Sequence, residues 1–245
     1  MKKLIFPLMI IFFSSSLYAQ NLTLSQIRTS VRLKIKDNVT NAAQRSYDDN
    51  QLNLKINSMQ DEIVSFTRCL SSTCYIATST GTREYSLPTG FFGALRVSYA
   101  YNTSSTNVST SSYVKLEQVD KATLDRSSST WETAGSSSPK RYYLNQTYIG
   151  IDPKPYVAGF NYLKIECYIQ ATTLSSDSDI PFNSVSYLYP YHQAIVYAVA
   201  MECAEEMGLN DKFAEYQGKY TDYLKALVNN LSQKTEWTPI FPTGK

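Results

Sequence analysis

Apolar residues near both ends of the chain recur at helical spacing, and each end must therefore find something to bury its stripe against. Leu24, Ile27, Val31 and Ile35 form one stripe, and Leu52, Ile56, Met59, Ile63 and Phe66 a second with alternating gaps of four and three. Toward the other end, Leu188, Ala194, Ile195, Ala198, Val199, Cys203 and Met207 give a broad apolar face. Phe213, Tyr216, Tyr220, Tyr223, Leu224, Leu227 and Leu231 give a fourth. The punctuation agrees with this reading. Thr23 and Gln26 spell a capping box, Asp37-Asn38 close the first helix, Asp48 or Asp49 caps the second, Gly208 stops the third and Asn210 caps the fourth. The economical fold is α+β: a helical bundle formed by helices from both chain ends, with a β-rich insertion between them. The expected boundaries are 20–74 for the first two helices, 75–183 for the insertion, 184–232 for the last two helices and 233–245 for an extended tail.

The insertion reads as strands. Thr82–Leu87 favours β structure and stops at Pro88, while Leu95–Tyr101 and Tyr113–Val119 alternate. Asp120–Leu124 suits one helical turn. Tyr142–Ile151 and Tyr162–Ala171 read as a hairpin across Asp152-Pro-Lys-Pro155 and Ala158-Gly159. Asn102–Ser112 and Ser127–Pro139 are polar loops, the second carrying an isolated Trp131 that either makes an outside contact or folds back on its own domain. The 20 tyrosines of the chain suit half-buried sheets and interfaces, because each has an apolar face and a polar tip.

Residues 1–19 stand apart: Lys2-Lys3, an apolar run from Leu4 to Phe13, and small residues up to Ala19 form a signal-peptide series. The run is too short to span a bilayer, which needs about 20 apolar residues, so the mature chain is expected to have no transmembrane span. Cys69 and Cys74 bracket a short loop and would form a disulfide clip in an oxidising compartment. Cys167 and Cys203 fall inside apolar patterns and read as small buried groups. Charge is nearly balanced, 23 basic against 21 acidic residues, which lacks the basic footprint of a duplex nucleic-acid binder.

No catalytic constellation is visible. The single histidine, His192, has no nucleophile in a recognisable setting and reads as structural. The acidic pairs Asp48-Asp49, Asp177 with Asp179, and Glu205-Glu206 sit at caps, turns or helix ends, and Asp177-Ser-Asp179 lacks the glycine and distal glutamate of a calcium loop. The expectation is a non-enzymatic protein without metal or cofactor.

Tyr47-Asp-Asp-Asn-Gln-Leu-Asn-Leu-Lys-Ile-Asn-Ser-Met-Gln-Asp-Glu-Ile63 resembles the second-helix signature of the head-to-tail adaptor proteins of tailed bacteriophages. Gly81–Pro88, Pro139–Tyr143, Asp152–Pro155 and Tyr191–Tyr197 follow that family's pattern in order, so the resemblance spans roughly Leu22 to Leu231. It implies a virion structural protein that forms a ring, commonly of twelve copies, docks under the portal protein and offers a surface to a tail or stopper protein. It also implies that the C-terminal tail reaches into the portal. Trp237, Pro239, Ile240, Phe241 and Pro242 form an apolar, non-helical segment suited either to docking in a partner groove or to strapping its own bundle. The leader points to export, and with it to an alternative reading: a surface or periplasmic binding module that uses its Tyr-rich β surface.

Overall fold

The computed structural model describes residues 21–37, 45–101 and 113–234. The expected leader at 1–19, the Asn102–Ser112 loop and the docking segment Trp237–Pro242 lie outside them. Within the described residues the fold is mixed α+β, with five α-helices and two four-stranded sheets.

Helix α1, Leu24–Ile35, opens on the expected capping box: Thr23 Oγ1 accepts from the Gln26 N–H, and Gln26 Oε1 accepts from the Thr23 N–H. It ends at Ile35, two residues before Asp37, with the C-cap Lys36 in the left-handed region. Helix α2, Asp49–Thr67, starts on a second capping box, made by Asp48 with Gln51. Its buried face is Leu52, Ile56, Gln60, Ile63, Val64 and Thr67, so Phe66 is not part of it and is 49% exposed. Gln60 holds its buried place by satisfying both ends of its amide: Oε1 accepts from the Phe182 N–H at 2.8 Å and Nε2 donates to the Thr172 carbonyl at 3.2 Å.

The third helix is shorter than its apolar pattern. Pro190 lies in a 3-10 segment, Ser186–Tyr191, and α4 proper runs from His192 to Glu206. Gly208, at φ 68°, lets the Leu209 N–H reach the Ala204 carbonyl and its own N–H reach the Glu205 carbonyl, a Schellman stop. Helix α5, Asn210–Lys234, begins with Leu209 supplying the first carbonyl, so Asn210 lies inside the helix instead of capping it. Buried side chains of α1, α2, α4 and α5 form one hydrophobic cluster that includes Ile27, Val31, Ile56, Ile63, Ile195, Val199 and Leu227.

The β region departs further from expectation. Strand β1, Ser71–Thr78, starts inside the presumed Cys69–Cys74 loop, because Ser72, Cys74 and Ile76 alternate inward against outward Ser71, Thr73 and Tyr75. The other strands are β2 (Glu84–Ser86), β3 (Phe91–Ala100), β4 (Tyr113–Lys115), β5 (Glu117–Gln118), β6 (Arg141–Asn145), β7 (Tyr148–Asp152) and β8 (Gly159–Ile169). One sheet has the order β1-β8-β3-β4 and the other β2-β7-β6-β5. Tyr142–Ile151 is thus two strands turning at Gln146, which sits at φ 44°. Strands β7 and β8 belong to different sheets, so the hairpin expected across Asp152–Pro155 does not form. Tyr113–Val119 also divides, crossing from one sheet to the other at Leu116. The Leu116 N–H bonds the Val97 carbonyl and the Glu117 N–H the Lys140 carbonyl. The two inner faces share a core of Val97, Tyr99, Leu116, Tyr142, Ile149, Ile151, Leu163 and Ile165. Behind the second sheet, α3 (Lys121–Ser127), capped by Asp120, covers a small cluster of Leu124, Trp131 and Tyr143.

Candidate interaction surfaces

Most of the polar side chains singled out by sequence are engaged within the fold, and Asp37 and Asp49 both converge on Arg32, which the sequence reading passed over. Its Nη1 donates to Asp37 Oδ2 at 3.0 Å and to the Tyr47 carbonyl at 2.8 Å, and its Nη2 donates to Asp49 Oδ1 at 2.7 Å. The Arg32 hydrogen bond holds the Asp49 carboxyl below its usual range. Asp37 in turn accepts from the Ser46 and Tyr47 N–H groups, which fixes the chain between α1 and α2. At the other end of α1, the 177–179 turn acts as a clamp: the Asp179 and Asp177 carbonyls accept from the Leu24 and Ser25 N–H groups, and Asp177 Oδ1 pairs with Arg28 at 2.5 Å. Asp179 Oδ2 is taken by the Ser175 and Ser176 N–H groups, with the Ser176 bond chief in lowering its carboxyl pKa.

Of Glu205-Glu206, the second is engaged. Its carboxylate accepts from Lys55 Nζ and from the Tyr47 hydroxyl, both at 2.7 Å, and Lys55 chiefly lowers its pKa. Burial first, and this acceptor second, push the Tyr47 phenol well up. No group of three or more His, Cys, Asp or Glu side chains able to hold a metal ion occurs among the described residues.

His192 is buried at the start of α4. Its Nδ1 accepts from the Leu22 N–H at 3.0 Å, its ring lies beside Phe182 and Tyr189, and Nε2 has no partner among the described residues. Desolvation lowers its pKa to about 4. It therefore tethers the segment entering α1 as a neutral acceptor.

Cys69 and Cys74 are both free thiols and are not brought together. Cys69 is buried in the helical core, which pushes its pKa up to about 11, and Cys74 packs on the sheet core. The extended backbone from Ser71 carries Cys74 away at about 3.3 Å per residue. Trp131 is buried too, not an outward contact. Its Nε1 donates to Asp125 at 2.7 Å, its ring meets Tyr143 edge-on, and the Arg83 guanidinium lies 4.5 Å from its centroid while bonding Asp152.

Contact chemistry remains on the outside. Leu95, Arg96, Lys115, Glu117 and Tyr142 are among the residues lining an open groove of about 430 Å³ where the two sheets meet. Phe66, Tyr75, Phe92, Tyr148, Tyr156 and Tyr187 are exposed aromatics. Arg68, which sequence reasoning passed over, lies between the rings of Phe92 and Tyr168. No local pattern signals this grouping, since strand pairing alone brings β3 and β8 beside the end of α2.

Fold and surface together describe an α+β protein whose singled-out polar groups are engaged in architecture and which leaves several aromatics exposed. The model of the SU10 adaptor protein family matches residues 22–242, and the chain belongs to that family. Membership supports a phage structural adaptor that contacts other virion proteins, with the virion as its location. No curated protein matches the chain. Among the described residues no helix is long and apolar enough to cross a membrane.

Proposed function

We propose that this protein is a head–tail adaptor that assembles as a ring of identical copies, docks on a portal protein and presents a surface to a tail or stopper protein. The observation that carries this reading is the family match over residues 22–242, a span that takes in every described element and the Trp237–Pro242 segment. In this reading α1, α2, α4 and α5 act as one bundle from both chain ends, the β region is its insertion, and the two sheets face neighbouring copies or the tail. The single cluster joining those four helices supports it. Trp237, Ile240 and Phe241, flanked in sequence by Pro239 and Pro242, are the residues that dock in a groove of the partner.

Deleting the residues after Gln233 tests the docking role. The shortened chain is expected to unfold at the same denaturant concentration as the full chain and to lose binding to the portal protein. Full portal binding by the shortened chain would refute the tail's role. Electron microscopy of the purified chain, alone and with portal, tests the ring: persistent single copies in both would refute assembly.

A further inference from the structure

The edges of the two sheets are unequal. Three of the four described edge strands are short and carry charge: β2 has three residues with Glu84, β4 three with Lys115, and β5 two with Glu117. Short, charged edges resist pairing with a further strand. The fourth, β1, runs for eight residues, Ser71-Ser-Thr-Cys-Tyr-Ile-Ala-Thr78, with no charge, no proline and an unbroken register from Ser71 to Ile76. Its one strand partner among the described residues is β8.

The ladder fixes which backbone groups the open side of β1 presents. The Ile169 N–H donates to the Leu70 carbonyl, so the ladder begins on a hydrogen-bonded pair of opposed residues. Bonded and non-bonded pairs alternate, and Ser72, Cys74 and Ile76 therefore turn their amides and carbonyls toward β8. The Cys167 Sγ on the Ser72 carbonyl at 3.7 Å agrees with this. Ser71, Thr73 and Tyr75 turn theirs the other way, and all three residues are exposed. Among the described residues no other backbone segment bonds to them. On the inward face Cys74 and Ile76 pack on the sheet core while remaining partly open at its rim.

We propose that the open edge of β1 receives an extended strand from a different virion protein. Outward N–H and C=O groups on every second residue match an extended backbone. The incoming segment is uncharged, about five residues long to cover Ser71–Tyr75, and apolar where it lies over Cys74 and Ile76. A neighbouring copy supplies no such strand among its described residues. Its other edges are the short, charged β2, β4 and β5, and β1 against β1 closes a pair about a two-fold axis instead of continuing round a ring. This inference rests on the reading of the chain as an adaptor that contacts other virion proteins, and makes a shared strand ladder one of those contacts.

Hydrogen exchange read amide by amide, on the purified chain and on purified virions, tests the ladder. The amides of Ser71, Thr73 and Tyr75 should exchange freely in the purified chain and at least about 100-fold more slowly in virions, with Ser72 and Cys74 slow in both. Equal rates for the outward amides in the two states overturn the proposal. Slowing already present in rings of the purified chain assigns the strand to a neighbouring copy, and slowing that is lost on dilution assigns it to β1 of a second copy; either result overturns it. Thr73→Pro removes an outward N–H and no bond to β8, so the variant should unfold at the same urea concentration as the natural chain and enter virions at least about tenfold less. Entry at the natural level overturns the proposal, and if the variant does not fold, the exchange rates of the natural chain decide alone. Absence of the chain from virions would sink the adaptor reading as well, whereas its presence there with freely exchanging outward amides sinks the strand ladder only.

Discussion

Acidification should loosen the entry into α1 through one residue. His192 has a pKa of about 4 in the fold against 6.5 for the free side chain, because burial strips the imidazolium of its hydration. Protonation at Nδ1 would also remove the acceptor used by the Leu22 N–H. The unfolded chain binds this proton first, so stability is complete above pH 6.5 and falls as pH drops from 6.5 toward 4. At about 1.36 kcal/mol per pH unit, the whole excursion costs about 3 kcal/mol. His192→Asn places Oδ1 near Nδ1 as a non-titrating acceptor. Urea unfolding at successive pH values should show the natural chain losing about 3 kcal/mol more than His192→Asn between pH 6.5 and 4. Carboxylates held low by their partners, such as Asp49 and Glu206, are common to both chains and cancel in the difference. Parallel curves would refute the assignment of a neutral, buried acceptor.

Two further changes test the cores. Arg32→Met leaves Asp37, 4% exposed, without its cation, and should cost about 3–5 kcal/mol in urea unfolding, with Arg32→Lys in between because lysine cannot reach all three acceptors. Gly150→Ala would drive a methyl into the buried Tyr143 ring and should lower stability by about 1–3 kcal/mol. Gly135→Ala, which meets nothing within 4 Å, should change it by less than about 0.5 kcal/mol in the same assay.

The helices were legible because their signals are local. Thr23 with Gln26 and Asp48 with Gln51 state their own starts, and Ile27, Val31, Ile56 and Ile63 sit where a 3.6-residue period puts them. Phe66 misled because apolarity alone does not fix a face. Val64 and Thr67 lie on the buried side, and Thr67 can do so because its hydroxyl donates to the Ile63 carbonyl. The sheets were legible as strands but not as partners. Asn145-Gln146-Thr147 announces its turn poorly, since the left-handed residue is Gln146 and not the asparagine beside it. Once that turn is missed, β7 is assigned to β8 instead of to β6. Trp131 was hidden for a related reason: its neighbours Arg83 and Tyr143 are distant in sequence and arrive only through the pairing of β2, β7 and β6. The contact patch around Arg68 has the same origin, joining residues from α2, β3 and β8.

Leu116 has a mechanical consequence. One residue separates β4 in the first sheet from β5 in the second, and the amides on either side of the crossing are tied to Val97 and Lys140. β4 is therefore joined to the partner of β6 without a slack loop, so a displacement of one sheet at this seam would have to be absorbed by Leu116 itself or by the hydrogen bonds that flank it.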